Sequence, residues 1–266
     1  MKIQNKIPLI AFLALALVAV QSCKKDDNSS MSLSTPDLKV QGSNVFYGPT
    51  IPMGKGVARA WVQENAAGEP TAVGIDLSEK ALQGLPDEPT AFVLQFPPNK
   101  GKEFYKHMLV DWNPQGHEPP GVYDLPHFDF HFYTITNEER LEIGPAGASG
   151  FDNLPGPQYV PQGYIRIPGG VPQMGTHWAD VFSPEFNGGT FTKTYILGSW
   201  DGTFIFHEPM ITMEYLLTQP NSVTEVRQPS AYQQDGWYPM NYRVTYSTSP
   251  KQYSVALTDL QFREGE

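Results

Sequence analysis

The chain has 266 residues, a formal net charge of −10 at pH 7 and a single cysteine. An acidic chain without clustered Lys and Arg lacks the basic surface that nucleic acid or anionic lipid would require, so neither is an expected partner. Hydrophobic residues make up 40% of the sequence, which is enough for a sizeable core. With 24 Gly and 25 Pro, the composition favours short strands and turns over long helices.

The first segment is a leader that ends at the cysteine. Lys2 and Lys6 form a basic start, and residues 7–20 form an uncharged apolar run. This run is shorter than the ~20 apolar residues that span a bilayer, and its layout is that of a secretory signal peptide. The sequence VQSC at residues 20–23 resembles the cleavage site of bacterial lipoproteins, in which the cysteine is acylated and becomes the new N-terminus.

Acylation of Cys23 would fix both the location and the redox chemistry of the protein. It implies an exported outer-membrane lipoprotein that loses residues 1–22 and contacts the membrane through lipid alone. No thiol would remain for a disulfide, a nucleophile or a zinc site. Residues 23–39 are polar and predict a flexible tether. The KKDD run at residues 24–27 resembles a cell-surface export signal, although a solvated linker has the same composition.

Residues 40–266 form one predicted β-rich domain, a sandwich or a barrel-like fold with minor short helices. Runs of β-branched and aromatic residues bounded by turn residues indicate the strands. The Asp201-Gly202 pair lies between two such runs and predicts a hairpin turn. The predicted strands are Val40–Tyr47, Val57–Val62, Thr71–Ile75, Ala91–Phe96, Phe104–Trp112, Phe128–Ile135, Phe191–Leu197, Thr203–Ile211, Tyr238–Ser247 and Tyr253–Phe262.

Helical signals are confined to short segments. Ser78 is a candidate N-cap for one short turn, and Asn137 is a candidate N-cap for the segment Glu138–Leu141. Residues 213–217 fit either a helix or a strand. The Gly/Pro-rich residues 143–174 predict a long loop, and a loop of this length inside a domain is usually functional or disordered.

The side chains best suited to chemistry lie in the sequence PHFDFHFY at residues 126–133. Side chains alternate along a strand, so His127, Asp129 and His131 share one face while three phenylalanines share the other. A rise of ~3.3 Å per residue places the two histidines ~13 Å apart. Because zinc–nitrogen bonds measure ~2.0–2.1 Å, one ion can be held by Asp129 with either histidine but not with both.

Two later motifs and one earlier pair can complete such a site. His177 lies in the sequence MGTHWAD, where Asp180 follows at a spacing that suits a turn or a helix. His207 and Glu208 would point to opposite faces of a regular strand, so only one of them can enter a given cavity. The earlier pair is His117-Glu118.

These residue types favour one divalent transition metal, such as Zn, Mn, Fe or Ni, because nitrogen and oxygen ligands are present without sulfur. The lead hypothesis is an ion held by Asp129, one of His127 or His131, His177 and Glu208, with an open position that activates water or polarises a substrate. The alternatives are a metal-free pocket for a small molecule or glycan and a structural hydrogen-bond network. The sequence contains no P-loop, dinucleotide-binding or GxSxG motif.

Four motifs in a fixed order give the chain a resemblance to a known family. They are WNPQGHEP at 112–119, PHFDFHFY at 126–133, MGTHWAD at 174–180 and EPMIT at 208–212. The chain resembles an uncharacterised bacterial family of exported proteins, catalogued as a domain of unknown function, over about Val40 to Arg263. The resemblance implies a mainly β fold and a homo-oligomer, and no activity. The residues that match are His117, Glu118, His127, Asp129, His131, His177, Asp180 and Glu208.

Taken together, the sequence predicts a lipid-anchored, exported protein of unknown activity with a His/Asp/Glu-lined pocket. The metal candidates are His127, Asp129, His131, His177 and Glu208, and the further pocket residues are His117, Glu118 and Asp180. The rival hypothesis is a non-enzymatic surface protein that binds a small molecule or glycan or serves as a structural oligomer.

Overall fold

The computed structural model describes residues 44–98, 100 and 104–266. The predicted leader, Cys23, the tether and the start of the first predicted strand lie outside the described residues. Within the described part of the chain, no helix has the length and apolar character needed to cross a membrane.

The described residues form thirteen strands in two antiparallel sheets. The strands are β1 (Asn44–Met53), β2 (Gly56–Glu64), β3 (Pro70–Ser78), β4 (Thr90–Leu94), β5 (His107–Asn113), β6 (His127–Tyr133), β7 (Tyr164–Arg166), β8 (Thr176–Asp180), β9 (Lys193–Trp200), β10 (Thr203–Thr212), β11 (Asn221–Glu225), β12 (Gly236–Thr248) and β13 (Lys251–Arg263). One sheet has the order β1-β2-β3-β13-β12-β11, and the other has the order β4-β5-β6-β10-β9-β8-β7. The predicted all-β, sandwich-like fold is confirmed.

The main core lies between the two sheets, and β6 shows why. Phe128, Phe130 and Phe132 are fully buried and belong to the same apolar cluster as Val73 and Val255 of the six-stranded sheet. Strand alternation therefore turns the other side chains of β6 away from the sandwich interior. These side chains nevertheless remain buried, which requires a second layer over the outer face of the seven-stranded sheet.

That second layer consists of the connections between strands of the seven-stranded sheet. Residues 114–126, between β5 and β6, contribute Tyr123 to a cluster with Phe191 and Met210. The Gly/Pro-rich residues 143–174 contribute Ile143 and Phe151 to another buried cluster on the same sheet. This stretch also contains two 3₁₀ turns and the short edge strand β7, so it is more regular than the predicted loop.

Several local predictions are confirmed and others are wrong. The Asp201-Gly202 hairpin joins β9 to β10, and both residues have positive φ, 48° and 84°. Residues 213–217 form the helix α2 (Met213–Leu217). Ser78 precedes a 3₁₀ turn but makes no side-chain capping bond to it. The short strands β7, β8 and β11, with three to five residues each, were not predicted.

The helix α1 (Asn137–Leu141) begins one residue earlier than predicted, because Thr136 rather than Asn137 is its N-cap. The Thr136 hydroxyl accepts a bond from the Glu139 amide, and the Glu139 carboxylate accepts one from the Thr136 amide. This reciprocal pair is a capping box, which satisfies two backbone donors that the helix itself cannot.

Replacing Thr136 by Ala is expected to lower the free energy of unfolding by about 1 kcal/mol, because the Glu139 amide loses its acceptor. Chemical denaturation of the wild type and the variant measures the difference. The matched control is Thr136→Ser, which keeps the hydroxyl and is expected to retain nearly all of the stability. Equal losses in both variants would show that the methyl group, and not the cap, is responsible.

Candidate metal centre

The register of three adjacent strands assembles the centre of the site. β6 lies between β5 and β10, so Asp111 and Asn113 of β5 sit directly opposite Asp129 and His127. On the other side, Met210 of β10 sits opposite Asp129, and the pairing places Glu208 beside His131. Residues that are far apart in sequence therefore share the outer face of one sheet.

A first group forms around the Asp129 carboxylate. His127 Nε2 lies 3.1 Å from Asp129 Oδ1, and His117 Nε2 lies 3.4 Å from Oδ2. Asn113 Nδ2 donates a hydrogen bond to Oδ2 at 2.7 Å. His117 comes from the connection between β5 and β6, so this group joins that connection to the sheet.

A second group forms around the Glu208 carboxylate. His131 Nε2 lies 3.5 Å from Glu208 Oε1, and His177 Nε2 lies 3.9 Å from Oε2. The other ring nitrogen of His131 lies 3.4 Å from Asp111 Oδ2. His177 arrives from β8, two strands away from Glu208 across β9.

A small residue on β9 makes room for this approach. Gly198 pairs with His177 on one side and with Phe206 on the other. A β-carbon at position 198 would lie 1.9 Å from the Phe206 ring. That ring packs edge-on against His131 at 4.8 Å and His177 at 5.3 Å between centroids, so it orients both imidazoles.

The spacing of the side chains fits a metal better than a set of direct hydrogen bonds. Adjacent ligands of a tetrahedral ion with bonds of ~2.0–2.1 Å lie about 3.3 Å apart. In each group, three ligand atoms lie within 4.8 Å of one another. His127 Nε2 and Asp129 Oδ1 are close, yet their directions do not meet the geometry of a hydrogen bond, and neither atom has another partner. Buried polar atoms without partners are rare in folded proteins and often mark an ion or water site.

The charge of the site also favours a cation. Asp111, Asp129 and Glu208 all lie on the cavity wall, and none of the described residues lining that cavity is Lys or Arg. Burial raises the pKa of Glu208 well above its usual range, and the Asp129 and Asp111 carboxylates raise it further. Burial, reinforced by Asp129, raises the pKa of Asp111 to about 7. A divalent ion would relieve this repulsion.

Asp129 behaves differently from the other two carboxylates. Burial alone would raise its pKa, but the adjacent His117 and His127 imidazoles outweigh burial and hold the pKa below its usual range. Burial lowers the pKa of His131 to about 3 and that of His177 to about 4. Both imidazoles are therefore neutral at pH 7, which is the form that binds a metal.

A cavity of about 420 Å³ opens beside both groups. Asp111, His117, Asp129, His131, His177 and Glu208 form part of its wall. Much of the remaining wall is apolar and comes from the Gly/Pro-rich stretch and from β9 and β10. These residues include Ile167, Pro168, Val171, Met174, Ile196 and Met210.

Most of the residues singled out in the sequence come together here. His127, Asp129 and His117 form the first group, His131, His177 and Glu208 form the second, and Glu118 lines the cavity. The lead hypothesis combined Asp129, one of His127 or His131, His177 and Glu208 around one ion. In the structure the candidate ligands separate into two groups, because Asp129 contacts His117 and His127 whereas Glu208 contacts His131 and His177.

Asp180 and His207 lie elsewhere. The segment predicted as a turn or helix is the strand β8, and residues three apart on a strand point to opposite faces. His177 therefore faces the cavity, whereas the Asp180 carboxylate accepts a bond from Arg227 Nε at 2.7 Å and is absent from the described cavity lining. His207 hydrogen-bonds the Tyr195 hydroxyl at 2.9 Å, on the opposite face of β10 from Glu208.

Sequence reasoning missed Asp111 and Asn113. Both precede the His117-Glu118 pair and are two residues apart, which puts them on the same face of β5. That spacing was a usable signal. However, only the pairing of β5 with β6 shows that this face is shared with Asp129.

A histidine outside both groups provides a pH test of the buried layer. His107 is 1% exposed, bonds the Ile135 carbonyl through Nδ1 and stacks on Tyr133. Burial lowers its pKa to about 4. The unfolded chain, with a histidine pKa of about 6.5, therefore takes up this proton first as the pH falls. The stability that neutral His107 contributes is complete above about pH 6.5 and is lost on acidification towards pH 4.

In metal-free protein, His107→Gln is accordingly expected to weaken the fall in the free energy of unfolding between pH 7 and pH 4.5. The difference from the wild type should be about 2–3 kcal/mol, since one pKa unit corresponds to 1.36 kcal/mol. Urea unfolding across this pH range, with a chelator present, measures it. Parallel curves for the two proteins would contradict the assignment to His107.

Comparison with known proteins gives a partial match. A family model described as TTHB210-like, hypothetical protein TTHB210, matches residues 65–112. This segment includes β3, β4 and most of β5, and it therefore contains Asp111. No curated protein and no solved structure matches the chain. The match supports similarity to an uncharacterised family, and the motifs after residue 112 lie beyond the matched segment.

Proposed function

We propose that the protein binds a divalent transition metal, such as Zn, Mn, Fe or Ni, through His131, His177 and Glu208. We further propose that it acts on a small uncharged molecule in the adjoining cavity. One observation carries the proposal: two imidazoles and a carboxylate converge on the wall of a cavity of about 420 Å³.

Three protein ligands leave a coordination position free, as in catalytic zinc sites. Such an ion lowers the pKa of a bound water or polarises a carbonyl group. His131 and Glu208 are 1% and 2% exposed, whereas the His177 side chain is 17% exposed. Only one ligand of this group is therefore partly open, and substrate must approach from its side.

The lining of the cavity indicates the substrate class. Its volume lies within the ~300–1,000 Å³ of small-molecule sites. Because the described lining residues include no Lys or Arg, the site offers no cation to a phosphate or carboxylate group. Four carboxylates in the lining, those of Asp111, Glu118, Asp129 and Glu208, disfavour an anion, and the apolar wall favours a neutral, largely apolar substrate such as an ester or amide.

The test begins with elemental analysis of protein purified without a histidine tag or chelator. It continues with turnover of neutral chromogenic esters and amides after loading with Zn, Mn, Fe(II) or Ni. We expect turnover that chelation removes and that His177→Ala abolishes. His207→Gln is the matched control, since His207 lies outside both groups. A protein that takes up none of these metals would refute the proposal.

A second candidate function is non-catalytic binding of a small molecule, and the largely apolar wall of the cavity favours it. In that case, neutral ligands would bind and raise the melting temperature by mass action without turnover. Metal binding without turnover of any neutral ester or amide would decide for this candidate. A rise in melting temperature with oligosaccharides would identify the ligand as a glycan.

The location of the protein is part of the proposal. The leader and Cys23 support an exported outer-membrane lipoprotein, and the KKDD run supports its display at the cell surface. Incorporation of labelled palmitate, lost in Cys23→Ser, tests the anchor. The homo-oligomer that the family resemblance implies stays a prediction, as does the absence of a nucleic acid partner.

A further inference from the structure

We propose that the chain holds a second metal ion, bound by His117, His127 and Asp129, whose role is to fix the connection between β5 and β6 onto the sheet. This site goes beyond the proposed function and rests on different residues.

The two imidazoles are oriented by backbone carbonyls. His127 Nδ1 lies 2.6 Å from the Leu125 carbonyl oxygen, and His117 Nδ1 lies 2.7 Å from the Glu118 carbonyl oxygen. A carbonyl only accepts, so each Nδ1 carries the proton and donates it. In the neutral rings, each Nε2 then presents a lone pair. Both nitrogens face the oxygens of Asp129, so the gap between them calls for either a proton on each nitrogen or a cation.

The carboxylate is held in place as well. Asn113 donates to Asp129 Oδ2, which leaves Oδ1 as the buried oxygen without a hydrogen-bond partner. His127 Nε2, which faces Oδ1, is equally without a partner. Metal-binding histidines and carboxylates are commonly oriented by hydrogen bonds of this kind. Two unpartnered ligand atoms, each on a side chain at least nine-tenths buried, therefore point to an ion.

One ion cannot serve both groups. His127 and His131 are four residues apart on one strand, a separation of ~13 Å between their backbones. Ligand bonds of ~2.0–2.2 Å are too short to bring both imidazoles to a shared ion. The side-chain contacts agree, since His127 turns to Asp129 whereas His131 turns to Glu208 and Asp111.

The position of the three ligands in the chain indicates the role of the ion. His127 is fully buried and does not line the cavity. The Phe191 ring packs on His127 at 5.3 Å, and the Tyr123 ring packs on His117 at 5.8 Å. His117 belongs to residues 114–126, whereas His127 and Asp129 belong to β6. An ion held by all three side chains therefore stabilises that connection against the sheet.

A metal-free explanation exists, in which protons on both Nε2 atoms create two imidazolium ions beside Asp129. Stoichiometry distinguishes the explanations. The experiment measures Co²⁺ and Zn²⁺ bound per chain in the wild type, His117→Ala, His177→Ala and the control His207→Gln. His117 and His177 are the most exposed histidines of their groups, so these variants disturb packing least.

We expect two ions in the wild type and in His207→Gln, and one ion in each of the other variants. Metal should raise the melting temperature of both single-site variants, because each retains one ion that binds only the folded state. One ion in the wild type that survives in His117→Ala overturns this inference and leaves the proposed function intact. One ion that survives in His177→Ala refutes the proposed function instead, and no ion refutes both.

Folding of His117→Ala is not essential to the test. Titration of the chelator-treated wild type with Co²⁺, followed by visible absorption, counts the bound ions directly. Two equivalents at saturation support the second site, whereas saturation at one equivalent that His177→Ala abolishes rejects it.

Discussion

Replacing Glu208 by glutamine is expected to stabilise the metal-free protein and to destabilise the protein in excess metal, relative to the wild type. Without metal, Glu208 is 2% exposed and faces the repulsion of Asp111 and Asp129. Removing a buried charge that lacks compensation should raise the free energy of unfolding by about 2 kcal/mol at pH 8.

The pH dependence of this gain follows from the raised pKa of Glu208. Burial raises the folded-state pKa above that of the unfolded chain, so the cost of the carboxylate grows as the pH rises above about 4.5. The advantage of Glu208→Gln should therefore be larger at pH 8 than at pH 5. A constant advantage across this range would assign the effect to packing instead of charge.

In excess metal the order should reverse, because the variant lacks one of the three ligands. Metal at 100 times its dissociation constant stabilises a binding protein by about 2.7 kcal/mol, and the variant forgoes this gain. Thermal unfolding with a chelator measures the expected gain in stability of the variant, and thermal unfolding with Zn²⁺ measures the expected loss. The exposed Glu214→Gln is the matched control and should change stability little in either condition. A variant that still gains the wild-type stabilisation from Zn²⁺ would exclude Glu208 as a ligand.

Replacing Gly198 by alanine is expected to displace two of the three proposed ligands, His131 and His177, by pushing on the Phe206 ring that packs against them. The new methyl group would lie 1.9 Å from the buried Phe206 ring, which cannot move without displacing His131 and His177. Overpacking of this kind costs about 1–3 kcal/mol. Metal affinity at His131, His177 and Glu208 should fall at least tenfold, because both imidazoles lose their orientation.

Gly74→Ala provides a matched control in the other sheet. Its β-carbon would lie 2.4 Å from the Trp61 ring, so it overpacks a cluster that contains neither group of ligands. Both variants should lose stability, but only Gly198→Ala should lose metal affinity as measured by Zn²⁺ competition with a chromogenic chelator. Equal loss of affinity in both would show that general destabilisation is responsible.

Strand periodicity alone made several features of this protein predictable. The alternation in PHFDFHFY placed three phenylalanines on the core face and His127, Asp129 and His131 together on the other. The Asp201-Gly202 hairpin could also be predicted, not from periodicity but because its turn geometry depends on these two adjacent residues. These features are local, so the sequence that specifies them is contiguous.

Asp180 was wrongly placed in the pocket because the conformation of its segment depends on a strand that is distant in sequence. Its distance of three residues from His177 suits a helix, and only the pairing of β8 with β9 makes the segment a strand. Once β8 is extended, alternation sends His177 into the cavity and Asp180 towards Arg227. Short segments carry weak local preferences, and their conformation is decided by the partners available in the sheet.

The amino-acid sequence by itself determined the β-rich character of the domain, the composition of the polar face of β6 and the types of ligand available. Only the tertiary structure decided how these ligands are grouped. The pairing of β6 with β5 and β10 brought Asp111, Asn113 and Glu208 to that face, and the connection after β5 folded His117 back onto Asp129. Strand pairing joins residues as far apart in the chain as Ala72 and Thr258, and no local pattern encodes that choice.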